Sequence, residues 1–300
     1  MQFLIITSKE DKASLNIRDK FLNSKYYNFE EINFSWQKNP VFKLTSFIAT
    51  EEEHTNQEDI VVYLGLTREP LIFLKDLKLE ESQINPDFLI FASRHTSKTT
   101  RPAFLVHTTG NWGNHADFGG DPFDLSQTSA LLQKAGFISL IRQEKLGELE
   151  KFSEDIEVTH HGPTNLEKPM LFMELGSSQE NWNIKEAGEF LATAILQSIF
   201  KYIEYNGKKN QEIGVGFGGT HYAPNFSRLI RNKDVAMSFI CPKYYIQGLS
   251  AEIINKMINN TKENVDYFII DWKGTNSDDK KHLIPLLEEF SIPIKKTKEF

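Results

Sequence analysis

Short apolar runs alternate with longer amphipathic stretches along the chain. Nine of the runs are five to eight residues long and rich in Val, Ile and Phe. Turn-forming residues bound each run, which is typical of buried strands. The nine predicted strands are QFLIIT, DIVVYLGL, DFLIFAS, AFLVHTT, DIEVTH, PMLFMEL, IGVGF, VAMSFI and VDYFIID.

Three stretches between these runs predict helices, because their apolar residues recur at helical spacing. The first runs from Asp121 to Gly136, the second covers 183–205, and the third covers 277–290 with Pro285 inside it. The alternation of strands and helices predicts an α/β fold. We expect three layers, α/β/α, around a mixed, largely parallel sheet.

The domain organisation is simple at this level. No repeat, low-complexity linker or clear boundary divides the 300 residues, so we expect a single α/β domain over 1–300. An inserted α+β subdomain stays open, and the polar run 50–59 predicts a loop.

Cys241 is the only cysteine, which excludes an intrachain disulfide and favours a reducing compartment. No apolar run reaches the roughly 20 residues of a membrane helix, so we expect a cytoplasmic protein without a membrane partner.

The charge balance argues against a protein that coats nucleic acid. The net charge is −7 and the pI is about 5.7, whereas such proteins usually carry a basic surplus. A local patch is still present, because SRHTSKTTR places Arg94, Lys98 and Arg101 close together without an acid. This run is either a solvated loop or a set of phosphate contacts.

Histidines concentrate where the predicted strands end. In open α/β sheets, ligands bind beyond the carboxyl ends of the strands, so these side chains are expected to converge. Histidine is both a common metal ligand and a common acid–base group near neutral pH. Six of the eight histidines follow this pattern, and Glu174 joins them: His95, His107, His115, His160, His161 and His221.

His160 and His161 stand side by side in EVTHHGPT, directly before Gly162 and Pro163. Successive strand residues point to opposite faces, so we expect the two imidazoles to face opposite sides. One would then face the cleft while the other holds the loop. A single histidine here would more often be structural, whereas a pair with further histidines nearby favours a functional site.

Metal binding and metal-free catalysis both stay open from the residues alone. Zinc takes neutral imidazole and carboxylate ligands, but the chain contains no H-E-x-x-H motif and no cysteine pair. The alternative is acid–base work by a histidine together with Glu174. The candidate metal ligands are His107, His160, His221 and Glu174, and the candidate catalytic residues are His160, His161, Glu174 and Thr220.

A glycine-rich stretch, GVGFGGTHYAP, precedes a predicted helix near Pro224. Backbone amides of such a loop can bind phosphate or a developing oxyanion. It is not a P-loop, because no Gly-Lys-Ser/Thr follows. Aromatic residues beside the polar loops either stack a base or pack in the core; they are Trp112, Phe118, Trp182 and Tyr222.

Seven ordered segments resemble the archaeal and plant type of D-aminoacyl-tRNA deacylase. They extend from about Ser93 to Tyr245, and two of them, THHGPT and HYAP, are specific in combination. The chain departs from the family pattern where Thr220 replaces an expected glycine and where Ser238 and Phe239 replace an expected Gly-His. The seven segments are SRHTSKTTRP, VHTTGNW, ADFGGDPFDLS, EVTHHGPT, FMELGSSQENW, GFGGTHYAP and PKYY.

The resemblance implies hydrolysis of the ester between a D-amino acid and the terminal ribose of tRNA, which is a proofreading step of translation. It also implies zinc as cofactor and a fold akin to nucleoside phosphorylases and peptidyl-tRNA hydrolases. Aminoacylated tRNA would bind through its acceptor end, and we expect a monomer. The expected substrate-binding residues are Arg94, Lys98, Arg101, Asn111, Gly218, Gly219 and Tyr222.

Two other functions stay open. A zinc-dependent peptidase or amidohydrolase on a related α/β scaffold would need a fixed set of zinc ligands and no basic loop. A non-catalytic RNA-binding module would use the histidines only structurally. For the deacylase, discrimination between D- and L-amino acids would come from steric exclusion of the L side chain.

Overall fold

The computed structural model describes residues 1–47, 60–208 and 210–300. The loop predicted over 50–59 lies outside these residues. The strands in the described ranges are β1 (Gln2–Ser8), β2 (Tyr27–Trp36), β3 (Asn39–Phe47), β4 (Val61–Thr67), β5 (Phe88–Arg94), β6 (Ala103–His107), β7 (Gly110–Asn111), β8 (Asp124–Leu125), β9 (Ser153–Ile156), β10 (Met170–Gly176), β11 (Glu212–Phe217), β12 (Val235–Cys241), β13 (Tyr267–Ile270) and β14 (Ile294–Lys296). The helices are α1 (Lys12–Asn23), α2 (Ala130–Arg142), α3 (Gln179–Trp182), α4 (Lys185–Asn206), α5 (Pro224–Asn232), α6 (Ala251–Asn259) and α7 (Ser277–Glu288).

The first sheet has eight strands in the order β2-β3-β4-β1-β5-β10-β6-β9. Strands β4, β1, β5 and β10 run parallel, whereas β6 is antiparallel to β10 and β9 is parallel to β6. Strands β2 and β3 form an antiparallel hairpin at the other edge. This arrangement confirms the predicted α/β fold with a mixed, largely parallel sheet.

A second sheet was not distinguished in the sequence. It contains four parallel strands in the order β12-β11-β13-β14. Eight of the nine predicted strands are present, divided between the two sheets, whereas the predicted strand DIEVTH shares only Asp155 and Ile156 with β9. The hairpin β2–β3 was missed because its residues alternate between buried and exposed, so that it contains no continuous apolar run.

Helices cover one face of the first sheet. Residues such as Ile5 and Met173 belong to the large core beneath α1, α2 and α4. Residues on the opposite face, such as Phe91 and Phe172, pack with Trp36 in a separate core. Helices α6 and α7 pack on the second sheet through a third core. None of the described helices is long and apolar enough to cross a membrane.

Helix α2 begins later than its sequence predicts. The expected start at Asp121 is wrong, because the helix begins at Ala130 and continues past Gly136 to Arg142. Its N-cap is a local Ser129 assisted by a carboxylate from far along the chain: Glu263 accepts a hydrogen bond from the Ala130 amide at 2.9 Å. Helix N-termini are stabilised by such acceptors, and a distant one is invisible to local patterns.

The EVTHHGPT segment connects the two sheets. After β9 ends, the Val158 amide donates to the carbonyl of His221 at 2.9 Å, and the Thr159 amide donates to that of Ile240 at 3.0 Å. The indole of Trp112 donates to the Thr159 carbonyl at 2.7 Å. The two histidines therefore follow the point where the first sheet meets the carboxyl edge of the second.

Candidate active site

Five imidazoles and two carboxylates converge at this junction, and we call them the histidine cluster. The first sheet and the residue that follows β5 supply three of them, the connecting segment supplies three, and the loop after β11 supplies one. The members are His95, His107 and Glu174; Glu157, His160 and His161; and His221.

Glu174 is the buried carboxylate on the first sheet. Its Oε2 accepts from His95 Nδ1 at 3.2 Å, and its Oε1 lies 3.7 Å from His107 Nε2 and 3.9 Å from His161 Nε2. Burial opposes ionisation, but the neighbouring imidazoles of His107, His161 and His95 hold the pKa of Glu174 well below its ordinary value. Glu174 is therefore a buried carboxylate that is hydrogen-bonded to His95 and faces two further imidazoles.

In three histidines a backbone carbonyl engages Nδ1 and leaves Nε2 to bind a ligand. The Nδ1 atoms of His107, His160 and His161 lie 3.1, 2.8 and 2.6 Å from backbone carbonyl oxygens, respectively. A carbonyl only accepts, so each Nδ1 carries a proton, and Nε2 is the nitrogen that can bind a metal when the imidazole is neutral. Backbone carbonyls fix ligating histidines in this way at metal sites.

His160 and His161 do not face opposite sides, so that expectation is wrong. Their ring centroids are 4.5 Å apart. The alternation of a strand does not apply here, because β9 ends at Ile156 and His161 has a φ of 45°, in the left-handed region. The turn places both rings beside that of His107, at 4.3 and 4.8 Å.

The cluster keeps two of its histidines neutral. Burial lowers the pKa of His160 well below its ordinary value, and repulsion from His107, His161 and His221 lowers it further. Burial also lowers the pKa of His161, in opposition to the hydrogen bond with Glu174. Neutral imidazole is the form that binds metal ions.

Glu157 is a second buried carboxylate that sequence reasoning did not assign to the site. His221 Nε2 lies 2.9 Å from its Oε1, and His95 Nδ1 lies 3.5 Å from its Oε2. Neither approach has hydrogen-bond geometry, so both oxygens lack a hydrogen-bond partner among the described residues. One signal was available, because Glu157 directly follows a strand and precedes the histidine pair. His95 was recognised at a strand end but received no role.

The cluster contains donor sets that can hold a metal ion. Each of three groups places its ligand atoms within 4.8 Å of one another: His107, His160 and His161; Glu157, His160 and His221; and His95, Glu157 and Glu174. The buried Nε2 atoms of His95 and His107 have no hydrogen-bond partner in the described ranges. Buried nitrogens without partners are costly unless a ligand satisfies them, so the donor chemistry fits a metal.

The four predicted metal ligands all lie in the cluster but do not form one of these groups. His107 and Glu174 face the same space, whereas His221 groups with His160 and Glu157. His115 is exposed on the loop 112–123 and does not reach the cluster's three groups.

The glycine loop after β11 adopts conformations that require glycine. Gly218 and Gly219 have φ values of 103° and 80°. Their amides donate to Cys241 and Gly274 carbonyls at 2.8 and 3.2 Å, so neither is available to an oxyanion. The amide of exposed Thr220 has no hydrogen-bond partner in the described part of the chain.

The basic run carries less free charge than its sequence indicates. Arg101 pairs with Asp155, a residue 54 positions away, at 2.7 Å, and its guanidinium lies 4.6 Å from the ring centre of Tyr222. Arg94 lies 5.5 Å from the ring centre of Trp182. Lys98 is exposed and forms no ion pair with any residue that the structure describes.

Two further positions have structural contacts. The Asn111 amide donates to the carbonyls of Gly119 and Asp121 at 2.8 and 3.1 Å, so it orders the loop before α2. Ser238 accepts a hydrogen bond from the Thr261 hydroxyl at 2.8 Å. Phe239 is buried in the core of the second sheet, and the departure from the family pattern at this position therefore lies in a hydrophobic core.

Comparisons with known proteins agree with the sequence motifs. The family model described as D-aminoacyl-tRNA deacylase matches residues 82–295. A D-aminoacyl-tRNA deacylase of Pyrococcus abyssi is 34% identical over 291 residues, covering 96% of this chain and 97% of that protein. One of Archaeoglobus fulgidus is 34% identical over 298 residues, covering 99% and 96%.

One solved structure is similar over the whole chain. The crystal structure of AF0625, a conserved protein of unknown function, matches with a TM-score of 0.80 and 32% identity, covering 100% of this chain and 96% of that one.

Proposed function

We propose that this chain, which belongs to the D-aminoacyl-tRNA deacylase family, hydrolyses the ester between a D-amino acid and the terminal ribose of tRNA. The products are a free D-amino acid and a reusable tRNA, so the reaction proofreads the chirality of translation. The observation that carries the proposal is the histidine cluster, in which neutral imidazoles meet a buried carboxylate that lacks a hydrogen-bond partner among the described residues, at the junction of the two sheets.

We propose zinc as the metal of this site. His107, His160 and His161 would hold it through Nε2, and Glu174 Oε1 faces the same space. This donor set suits zinc, which prefers imidazole and carboxylate ligands and leaves a position open in catalytic sites. When bound, zinc supplies a Lewis acid that polarises a carbonyl and acidifies water.

Glu157 is the proposed proton acceptor. The oxygen of water bonds to the ester carbon while one water proton passes to Glu157 Oε1. The bond between that carbon and the ribose oxygen then breaks, and the ribose oxygen takes the proton back through His221, whose Nε2 lies 2.9 Å from Oε1. Glu174 is less suited to this role, because the neighbouring imidazoles of His107, His161 and His95 keep its pKa low.

The amide of Thr220 is the proposed donor to the oxyanion that forms on the ester carbonyl. It is the one amide among Gly218, Gly219 and Thr220 without a hydrogen-bond partner in the described ranges. The rigid glycine backbone beside it would exclude an L side chain sterically, and such exclusion can exceed the roughly 10- to 200-fold selectivity available from one methylene contact.

The other two functions have less support. A peptidase could use the same cluster, but the family match and the full-length relatives support the deacylase. A purely RNA-binding module does not account for buried imidazole nitrogens and carboxylate oxygens without partners. The monomeric state and the cytoplasmic location stay predictions.

Parallel hydrolysis of D- and L-tyrosyl-tRNA at limiting enzyme tests the proposal. We expect hydrolysis of the D form alone, loss of activity with a chelator, and recovery with zinc. Equal rates on both forms would refute the chiral assignment and indicate a general esterase. Cleavage of a peptide panel with no hydrolysis of either ester would favour the peptidase.

A further inference from the structure

An exposed turn beside the proposed active site has no role in the chemistry described above. Lys243, Tyr244 and Tyr245 follow β12 at the carboxyl edge of the second sheet, and we call them the Lys-Tyr-Tyr turn. Tyr244 is 57% exposed and Tyr245 is 40% exposed, although the flanking residues Pro242 and Ile246 are buried. Adjacent exposed aromatic rings form an apolar patch, and such patches often mark a binding site.

Backbone hydrogen bonds connect this turn to the glycine loop. The Lys243 amide donates to the Gly219 carbonyl at 3.1 Å, two residues before His221. The turn therefore stands beside the second-sheet side of the histidine cluster.

A second exposed ring borders the other side of the cluster. Phe118 is 69% exposed, and its carbonyl accepts from the Gly162 amide at 3.1 Å, directly after His161. The same loop reaches the Lys-Tyr-Tyr turn, because a Cβ added at Gly113 would lie 3.8 Å from the Tyr245 ring. Exposed aromatic side chains therefore occur on both loops that adjoin the cluster.

The turn has the chemistry of a platform for unpaired bases. The rings of Tyr244 and Tyr245 are 5.0 Å apart and tilted by 55°, so they do not stack on each other. Lys243 is exposed and pairs with no carboxylate in the described part of the chain. Proteins that bind single-stranded nucleic acid combine such aromatic faces with neighbouring cations.

We propose that the Lys-Tyr-Tyr turn binds the unpaired 3′-terminal nucleotides of the RNA substrate. A base stacks on Tyr244 or Tyr245, and Lys243 contacts a phosphate. The inference rests on the proposed function, because the reacting ester is carried by the terminal ribose. The terminal base is then within one nucleotide of the ester, and the turn is hydrogen-bonded to the loop that carries His221.

The chain itself offers a matched control. The tripeptide Lys-Tyr-Tyr also occurs at residues 25–27, where Tyr26 is 49% exposed. It lies between the end of α1 and the start of β2, at the amino edge of the first sheet, because α1 runs back from the carboxyl end of β1. Tyr26→Ala removes an equally exposed ring far from the cluster.

The experiment compares Tyr244→Ala, Tyr245→Ala, Tyr244→Phe and Tyr26→Ala. One readout is the Kd for a labelled single-stranded oligoribonucleotide that ends in CCA. The other is the ratio of kcat/KM for D-tyrosyl-tRNA to that for D-tyrosine methyl ester, which has no base. We expect at least one of the two Tyr→Ala variants at 244 and 245 to raise the Kd and lower the ratio by about 5- to 150-fold, the range for loss of one base–aromatic stack. Tyr244→Phe keeps the ring and should retain binding, as should Tyr26→Ala.

The outcomes separate this inference from the proposed function. Wild-type Kd and ratio in both alanine variants at 244 and 245, with D-tyrosyl-tRNA still hydrolysed, would overturn the platform alone. Equal losses on the tRNA and the methyl ester would also overturn it, because the turn would then only shape the active site. Loss of oligoribonucleotide binding in a protein that hydrolyses neither ester would support the platform while the proposed function fails.

Discussion

The two sheets contribute different kinds of residues to the same site. The first sheet supplies His107 and Glu174, which are almost fully buried on adjacent strands. The second sheet supplies His221, whose side chain is 37% exposed, from a glycine-rich loop. The difference suggests two roles: the first sheet holds buried groups in fixed positions, and the loops of the second sheet present side chains that a substrate can reach.

Burial explains why the first sheet takes the fixed groups. A carboxylate such as Glu174 is tolerated in the interior only when it has polar partners, and His95 hydrogen-bonds to it while His107 Nε2 and His161 Nε2 lie 3.7 and 3.9 Å from its Oε1. Backbone carbonyls and this carboxylate hold the imidazoles in place. The loops after β11 and β12 need backbone freedom instead, which Gly218 and Gly219 provide through positive φ values.

The largest effect is expected from the connecting segment that both sheets share. His160 belongs to two of the three possible metal groups, one with a first-sheet histidine and one with His221. His160→Ala should lower the metal content and should lower hydrolysis of D-tyrosyl-tRNA by roughly 10²-fold or more, because loss of a ligand should cost at least the roughly 10- to 100-fold that loss of an outer partner of a ligand costs. Exposed His115→Ala is the control. Wild-type turnover in His160→Ala would remove this residue from the site.

The second prediction distinguishes the role of Glu157 from that of Glu174. Glu157→Gln should lower kcat by about 10²-fold while the metal content is retained, because it removes the proposed proton acceptor. Glu174→Gln should lower the metal content as well, because Glu174 orients His95, His107 and His161. Steady-state kinetics and elemental analysis of both variants check this. Retained kcat in Glu157→Gln would return the role of base to Glu174.

The third prediction concerns the glycine loop of the second sheet. A Cβ at Gly218 would lie 2.1 Å from Thr275 Oγ1, and its φ of 103° disfavours an L side chain. Gly218→Ala should reduce the free energy of unfolding by about 1–3 kcal/mol or more, the usual cost of a strained backbone conformation. Gly248→Ala is the control, because nothing lies within 4 Å of its Cβ position. Equal unfolding midpoints for the two variants would contradict the strain argument.

The smallest effect is expected on the basic run beside the first sheet. Lys98→Gln should reduce the slope of log KM against log salt by about 0.7–0.9, the contribution of one phosphate contact. Arg101→Gln should change the slope less, because Arg101 already pairs with Asp155. If neither variant changes the slope, the run is a solvated loop. A larger change from Arg101→Gln would mean that RNA displaces Asp155.

The sequence by itself determined most of the local structure. Eight of the nine apolar runs are strands, and the stretches 183–205 and 277–290 are helices close to their predicted bounds. Five of the six histidines recognised at strand ends belong to the cluster. These features depend on apolar periodicity and on turn-forming neighbours, which operate over a few residues and can be read directly from the chain.

Only the tertiary structure decided how these parts combine. It divided the predicted strands between two sheets, began α2 at the carboxylate of distant Glu263, and paired Arg101 with Asp155. It also placed Glu157 in the site and turned His161 toward His160. The physical reason is separation along the chain: His95 and Glu174 are bonded across 79 residues. Burial, hydrogen-bond partners and charge neutralisation depend on such contacts, which no local pattern encodes.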